Sequence, residues 1–283
     1  MAAHYASAVR VGAMVVARDE ERHIAASLRS LLDQDCPIDE IVVVDDGSKD
    51  STADVAARVL RGFSGGRVVR ISPSGRPVAR NRALTELSSD IVLVADADDV
   101  SLPNRVAIHL EAFEDRSLGW HAAQMIAVND DGVEVGWRSS YATDRSVIAA
   151  KLARPSSMPV SHATSAFRST LVGQLGQPFY APYCLRAQDF ELLLTLGESV
   201  VVESSAEHVL EYRWSPQDRS WSKWRKTAPW RRYAIAHSSW RRSAVEPVTF
   251  GEWWGGLSPL ERAVAVDPAR FIHSRALALG AGP

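Results

Sequence analysis

The 283-residue chain is poor in cysteine, with Cys36 and Cys184 alone, which argues against a disulfide framework and suits a reducing cytoplasm. Long apolar runs are missing too. The first, residues 11–17, is too short to span a bilayer and leads directly into Arg18-Asp19-Glu20-Glu21. The first nine residues lack the charged-then-apolar pattern of a secretory leader, so neither a signal peptide nor a transmembrane helix is expected. The net charge is only −2, which offers no global attraction to nucleic acid. Lysine is scarce as well, confined to Lys49, Lys151, Lys223 and Lys226. Neither G-x-G-x-x-G after the first apolar run nor G-x-x-x-x-G-K-[ST] anywhere is found, which argues against a dinucleotide dehydrogenase and a P-loop NTPase.

An apolar content of 46% and a charged content of 23% describe an ordinary globular chain long enough for a substantial core. Short apolar runs at residues 9–17, 41–44 and 91–95 predict buried strands, and residues 67–71 a further strand. Between and after them, Ile24, Leu28, Leu31 and Leu32, then Val55 and Val59, then residues 78–87, and a segment opened by Ser101-Leu102-Pro103 predict helices. Strand and helix alternating over the first 110 or so residues imply an α/β fold with a mostly parallel, Rossmann-like sheet flanked by helices. Later, residues 120–128 and 133–140 predict a hairpin about Asn129-Asp130-Asp131-Gly132, residues 154–160 a Pro/Ser-rich connection, and residues 185–196 a helix.

The most informative stretch is Ile91-Val-Leu-Val-Ala-Asp96-Ala97-Asp98-Asp99, an apolar strand ending in D-x-D-D. Crowded carboxylates at a strand end repel one another, and a divalent cation with hard oxygen ligands is the usual remedy. Asp45-Asp46 closes the second predicted strand. In a parallel sheet it shares an edge with Asp96–Asp99, outside the carboxyl ends of the strands where such sheets bind ligands. A third acidic position, Asp189, follows further on.

In order along residues 9–215, several pieces resemble family 2 glycosyltransferases with the GT-A fold. These are Val15-Val16-Ala17-Arg18-Asp19-Glu20, the run from Ile41 to Thr52 containing Asp45-Asp46-Gly47-Ser48, Gly75 with Ala79-Arg80-Asn81, Asp96-Ala97-Asp98-Asp99, and His162 with Phe167-Arg168 followed by Gln188-Asp189-Phe190-Glu191-Leu192. The resemblance implies an inverting transfer of a sugar from a nucleotide-diphosphate donor to a hydroxyl-bearing acceptor: a saccharide, a lipid-linked saccharide or a small aglycone. It implies that Asp46 accepts a ring N–H of the base, which uracil, thymine and guanine offer and cytosine and adenine do not. Ala17, Arg18, Glu20, Gly75, Arg80, Asp96 and Ala97 then line the donor pocket. Asp98, with Asp96, holds Mn²⁺ or Mg²⁺, Asp99 supports that site, and Asp189 is the general base. His162, Gln188, Arg213 and Trp214 fall on the acceptor side.

The chain departs from the family pattern in three places. Gln188 stands where a glutamate usually precedes the base, Leu175-Gly176-Gln177 replaces a Gly-Gly, and Trp214 follows Tyr212-Arg213 where a histidine is common. Residues 1–115 are expected to form the donor half of one domain, 116–215 the acceptor half, and 216–283 a mainly helical extension. Seven of the nine tryptophans lie from Trp214 onward, and residues 211–242 carry nine basic and two acidic side chains. That region reads as core packing, as part of the acceptor pocket, or as a peripheral contact with the inner face of a membrane. Two other functions fit the residues less fully: a haloacid-dehalogenase-like phosphatase, from Asp96-Ala97-Asp98-Asp99-Val100, and a non-catalytic nucleotide-sugar-binding module, from Gln188.

Overall fold

The computed structural model of the chain describes residues 9–153, 158–176, 178–214 and 221–266. The connection expected at 154–160 lies partly outside the described residues, as do Gln177, residues 215–220 and the end of the chain. The first half alternates as its sequence predicts: β1 (Val11–Ala17), α1 (Ile24–Leu32), β2 (Glu40–Asp45), α2 (Thr52–Val59), β3 (Gly66–Arg70), α3 (Arg76–Glu86), β4 (Ile91–Asp96), β5 (Val100–Ser101) and α4 (Arg105–Ala112). The second half holds β6 (Leu118–Val128), β7 (Glu134–Arg138), α5 (Arg145–Ala153), β8 (Ala166–Arg168), α6 (Thr170–Leu175), α7 (Gln188–Leu196), β9 (Val201–Arg213), α8 (Trp221–Arg242), α9 (Phe250–Gly256) and α10 (Pro259–Ala265).

One sheet runs β3-β2-β1-β4-β8-β6-β9-β5, with β7 paired to β6, and it crosses the boundary expected near residue 115 without a break. β1 to β4 are parallel, and β1, β2 and β4 are buried on both faces, which explains why they read as apolar runs, whereas the edge strand β3 is half-exposed. Alternate side chains divide the core. Val11, Ala13, Val15, Ile41, Val43, Ile91 and Leu93 pack with α1, α2 and α4, whereas Met14, Val42, Val44, Val92 and Val94 pack with α3, α7, Trp120 and Phe167. The register sets Ala17 beside Asp45 and Val16 beside Asp96, so the ends of β1, β2 and β4 are level.

Beyond β4 the sheet becomes mixed. β8 is antiparallel to β4 and β6, β9 runs parallel to β6, and β5 returns antiparallel to β9. β5 follows β4 after only three residues yet pairs at the far edge, so the chain from Ala97 to Asp99 is held between β4 and the end of β9. The expected hairpin of β6 and β7 forms, turning at Gly132 with φ +78°. In the C-terminal segment, α8 packs on α7, and α9 and α10 pack on α8. Trp230, Tyr233, Trp240, Phe250, Trp253 and Trp254 form a chain of ring contacts there, led by Trp230 stacked on Phe250 at 3.7 Å. Among the described residues no helix is long and apolar enough to cross a membrane.

A single cation supports the junction of the two sheet halves. Arg105, at the start of α4, is fully buried and donates to the Val94 carbonyl of β4, to the Ala163 carbonyl at 2.9 Å and to Ser101 Oγ at 3.1 Å. Burial pulls its pKa down to about 10, against the pull of Asp99 and Asp96, so it stays charged at neutral pH. Replacing it strands a buried acid and several carbonyls. Arg105→Met is therefore expected to lower the unfolding free energy by about 3–5 kcal/mol in urea titrations, and a loss under about 1 kcal/mol contradicts this role.

Nearby, His109 of α4 and His121 of β6 meet Nδ1 to Nδ1 at 2.8 Å, a contact in which one neutral ring donates and the other accepts. Burial holds both below the ordinary histidine range, His121 at about 4. From pH 6.5 down to about 4 the unfolded chain takes up protons that the folded chain refuses. This contribution to stability is thus complete above pH 6.5 and lost on acidification. The stability–pH curve of His121→Gln should be flatter than that of the parent by up to about 1.4 kcal/mol per pH unit across that window. Parallel curves argue against a neutral pair.

Candidate functional site

Outside the carboxyl ends of β1, β2 and β4 opens a cleft of about 800 Å³. Its walls come from the turn after β1 (Ala17, Arg18, Glu20), the end of β2 (Asp46), the start of α3 (Gly75, Arg76, Arg80), the end of β4 (Asp96, Ala97, Asp98), the approach to α7 (residues 185–189), and Tyr212 and Thr227. The positions expected on the donor side, the expected metal carboxylates, Gln188 and Asp189 all line this one space. His162, Arg213 and Trp214 are not part of its wall.

Each carboxylate is held differently. Asp46 is nearly buried and accepts from the backbone amides of Ser74 at 2.6 Å and Gly75 at 2.9 Å, with Arg18 at 4.0 Å. Gly75 carries φ +91° at the N-terminal cap of α3, a conformation that side-chain-bearing residues rarely adopt, so glycine is what lets its amide reach Asp46. Asp45 accepts from the Ser48 amide at 3.0 Å and pins the turn that follows β2. Asp96 pairs with Arg80 at 3.2 Å. Burial would raise its pKa, but the Arg80 and Arg76 guanidiniums outweigh burial and keep it ionised, below the usual carboxylate range.

Asp98 lies under the opposite balance. Burial and the like charges of Asp96 and Glu20 push it up to about 6. Among the described residues no three His, Cys, Asp or Glu are grouped to hold a metal ion. Asp98 and Asp96 instead supply a two-carboxylate, hard-oxygen set. Hard-oxygen donors of this kind suit a divalent cation, and a cation held there would relieve the repulsion that raises Asp98. Asp99 is buried, and burial together with Asp98 and Asp96 moves its pKa well above normal. Its Oδ1 accepts from the Arg213 amide at 2.8 Å.

Arg213 is a clamp at the back of this loop. Its Nε donates to the Asp98 carbonyl at 2.9 Å and its Nη1 to the Asn129 carbonyl at 3.0 Å, which ties the D-x-D-D turn to the β6–β7 hairpin. Trp214 continues that edge through its amide to the Val128 carbonyl at 2.8 Å. His162 is buried beneath the cleft, 3.0 Å from the Tyr180 hydroxyl, and burial with the nearby Arg80 charge lowers its pKa to about 3. Tyr180 in turn lies under the Arg80 guanidinium, 5.4 Å from ring centroid to Cζ. Asp189 stands in the first turn of α7, where it accepts from the Phe190 amide at 2.9 Å, with Gln188 buried beside it.

The sequence alone did not point to Arg76, Arg186, Tyr212 and Thr227 as cleft residues, nor to Arg105 beneath it. Arg76 carried a usable signal, since it directly follows Gly75 at a helix start on the ligand-binding edge. Arg105 could have been suspected from a cation inside an otherwise apolar helix stripe. Tyr212 and Thr227 depend on long-range packing of β9 and α8 that no local pattern announces.

The chain is similar to several known proteins. It is 34% identical over 119 residues to a Mycobacterium tuberculosis protein, covering 42% of this chain and 36% of that one. It is 41% identical over 68 residues to the succinoglycan biosynthesis protein ExoU of Rhizobium meliloti, covering 24% of this chain and 20% of that one. Over 111 residues it is 31% identical to TuaG of Bacillus subtilis, named for teichuronic acid biosynthesis, covering 39% of this chain and 44% of that one. The matched segments thus span less than half the length of each of these relatives. Among solved structures, S. aureus TarS 1-349 superposes with a TM-score of 0.61 at 19% identity, covering 94% of this chain and 72% of that one, so the two share the GT-A fold. The same TarS fragment in complex with UDP gives a TM-score of 0.58 at 19% identity, covering 96% and 88%. The sequence pattern of Glycosyl transferase family 2 matches residues 13–176, more than half of the chain, and the chain belongs to that family.

Proposed function

We propose that the chain is an inverting glycosyltransferase that moves a sugar from UDP, dTDP or GDP to a hydroxyl of a saccharide acceptor, assisted by Mn²⁺ or Mg²⁺. The observation that carries this reading is the meeting of Asp46, Asp96, Asp98 and Asp189 in one cleft at the level ends of β1, β2 and β4. The TarS fragment has also been solved with UDP-GlcNAc, at a TM-score of 0.56, which favours a uridine donor. The names of ExoU and TuaG favour polysaccharide assembly. The phosphatase reading gains nothing from the family match, which covers the D-x-D-D segment.

In this mechanism Asp46, fixed by the Ser74 and Gly75 amides, presents its remaining lone pairs to a ring N–H of the base. Buried Arg80 pairs with the partly exposed Asp96, which would meet ribose hydroxyls or a water of the cation. A divalent cation held by Asp98, with Asp96, would offset charge on the departing diphosphate. Opposite, Asp189 takes the proton of the acceptor hydroxyl as that oxygen attacks the anomeric carbon. The bond from the anomeric carbon to the phosphate oxygen breaks as the new bond forms, its electron pair leaves with the nucleoside diphosphate, and the configuration inverts.

A thermal-shift panel tests the donor. UDP, dTDP or GDP is expected to raise the melting temperature in the presence of Mn²⁺, by the equivalent of about 2.7 kcal/mol at a hundredfold excess over Kd. Asp98→Asn should lose the Mn²⁺-dependent part of that shift, and an unchanged Mn²⁺ response removes Asp98 from the metal site. For Asp189→Asn the expected outcome is retained donor binding with transfer slower by at least ~10²-fold. Transfer at the parental rate would rule out Asp189 as the base.

A further inference from the structure

Among the cleft arginines, Arg76 has no part in the donor reading above, yet it lines the same cleft. Residue 76 opens α3 directly after Gly75, lines the cleft and is exposed to it. Asp96, Asp98, Asp189 and Tyr212 line the same cleft and act on its charge, so the guanidinium shares this space with the carboxylates at the end of β4 and the acid at the start of α7. Loss of solvent at the cleft wall would lower its pKa, but those carboxylates raise it above normal, Asp96 most of all, so it remains a permanent cation.

A second observation points to an anion at the same place. Arg80 is buried on the same helix and gives Nη2 to Asp96, while its Nη1 is buried with no hydrogen-bond partner among the described residues. A buried N–H of a charged group left without an acceptor is costly, and a bound anion removes that cost. The positive end of the α3 dipole is directed to the same region.

We propose that Arg76 is a diphosphate-binding residue, which with Arg80 Nη1 grips the phosphate groups of the nucleoside diphosphate from the α3 side of the cleft, opposite the D-x-D-D turn. This rests on the donor reading above and adds to it a protein-borne cation for the leaving group. A planar guanidinium suits the task because it meets two phosphate oxygens at once, whereas an ammonium meets them as a point charge. Before donor arrives, Arg76 also screens Asp96 and Asp98 from each other and from Asp189. The incoming diphosphate then competes for a cation already in position.

Calorimetric titration of UDP and of uridine into the parent chain, Arg76→Met and Arg76→Lys, with Mg²⁺ and again with EDTA, tests the assignment. Arg76→Met is expected to weaken UDP binding about 10- to 100-fold in both conditions and to leave uridine binding unchanged, with Arg76→Lys in between. Equal weakening of UDP and uridine, or an unchanged UDP-to-uridine ratio, overturns the role of Arg76 and leaves the donor reading standing. If the parent chain binds none of UDP, dTDP and GDP, the donor reading falls and this proposal with it. Circular dichroism melts of the variants show whether any loss comes from misfolding, and Arg76→Lys, which keeps the charge, provides the second folded variant for the comparison.

Discussion

Three carboxylates at the end of one buried strand have to be kept apart from one another and from the core, and much of the architecture answers that requirement. The parallel register sets Asp45 beside Ala17 and Asp96 beside Val16, which makes the acidic edge a property of the sheet and not of one loop. A crowded edge of this kind is stable only with counter-charge in fixed positions. Arg80 meets Asp96 from α3, Arg105 sits below from α4, and Arg213 hooks the Asp98 carbonyl and the Asp99 carboxyl from β9. Each arginine comes from a different element, so closing the turn requires both halves of the sheet to be in place.

These arginines do two kinds of work. Arg105 and Arg213 donate mainly to backbone carbonyls, of Val94 and Ala163 in one case, beside the Ser101 hydroxyl, and of Asp98, Asn129 and Asp130 in the other. Their charge is then available to the acidic turn only as a field, and their geometry belongs to the fold. Arg80 divides its donors between Asp96 and an unfilled direction, and Arg76 stands in the cleft itself. The scarcity of lysine is consistent with this arrangement. A guanidinium can bridge several carbonyls in a rigid fork while staying charged in a buried setting, which an ammonium does far less well.

The sequence was a good guide where chemistry and periodicity coincide. β1, β2 and β4 are buried on both faces and so read as apolar runs, and the cleft residues follow them at fixed offsets, which is why Asp46, Arg80, Asp96 and Asp98 could be named before any geometry. The same reading had no purchase on β8, only three residues long, or on β9, where Glu203, Ser205 and Glu207 interrupt any apolar pattern because the strand is stabilised by pairing to β6 and not by burial of its whole length. The first helix begins at Ile24, where its apolar stripe begins, because Asp19 takes φ +56° and residues 21–23 form a turn. Arg213 was expected on the acceptor side for its neighbourhood in sequence, but its side chain turns away from the cleft to the back of the acidic turn. That orientation follows from the pairing of β5 with β9, a contact between residues more than a hundred positions apart.

Two left-handed residues bear on how the donor and acceptor ends are joined. Asp19 and Ala187 have φ near +57°, and each adjoins cleft residues: Arg18 and Glu20 in one case, Gln188 and Asp189 in the other. Asp19 is repaid locally, since its side chain accepts from the Lys49 amide and its own amide donates to Ser48. Ala187 has no side chain with which to do so, and a left-handed alanine costs of order 1 kcal/mol or more. What that strain accomplishes is visible in the chain path. It lets α7 begin abruptly at Gln188, so that Asp189 occupies the first helical turn and lines the same cleft as the carboxylates of β4. A relaxed entry to α7 would displace the acid relative to the D-x-D-D turn. The direct displacement proposed above would need the attacking and leaving oxygens on opposite sides of one carbon, so the separation of Asp189 from the D-x-D-D turn is the dimension it would depend on, and local strain at Ala187 is a small cost for holding it.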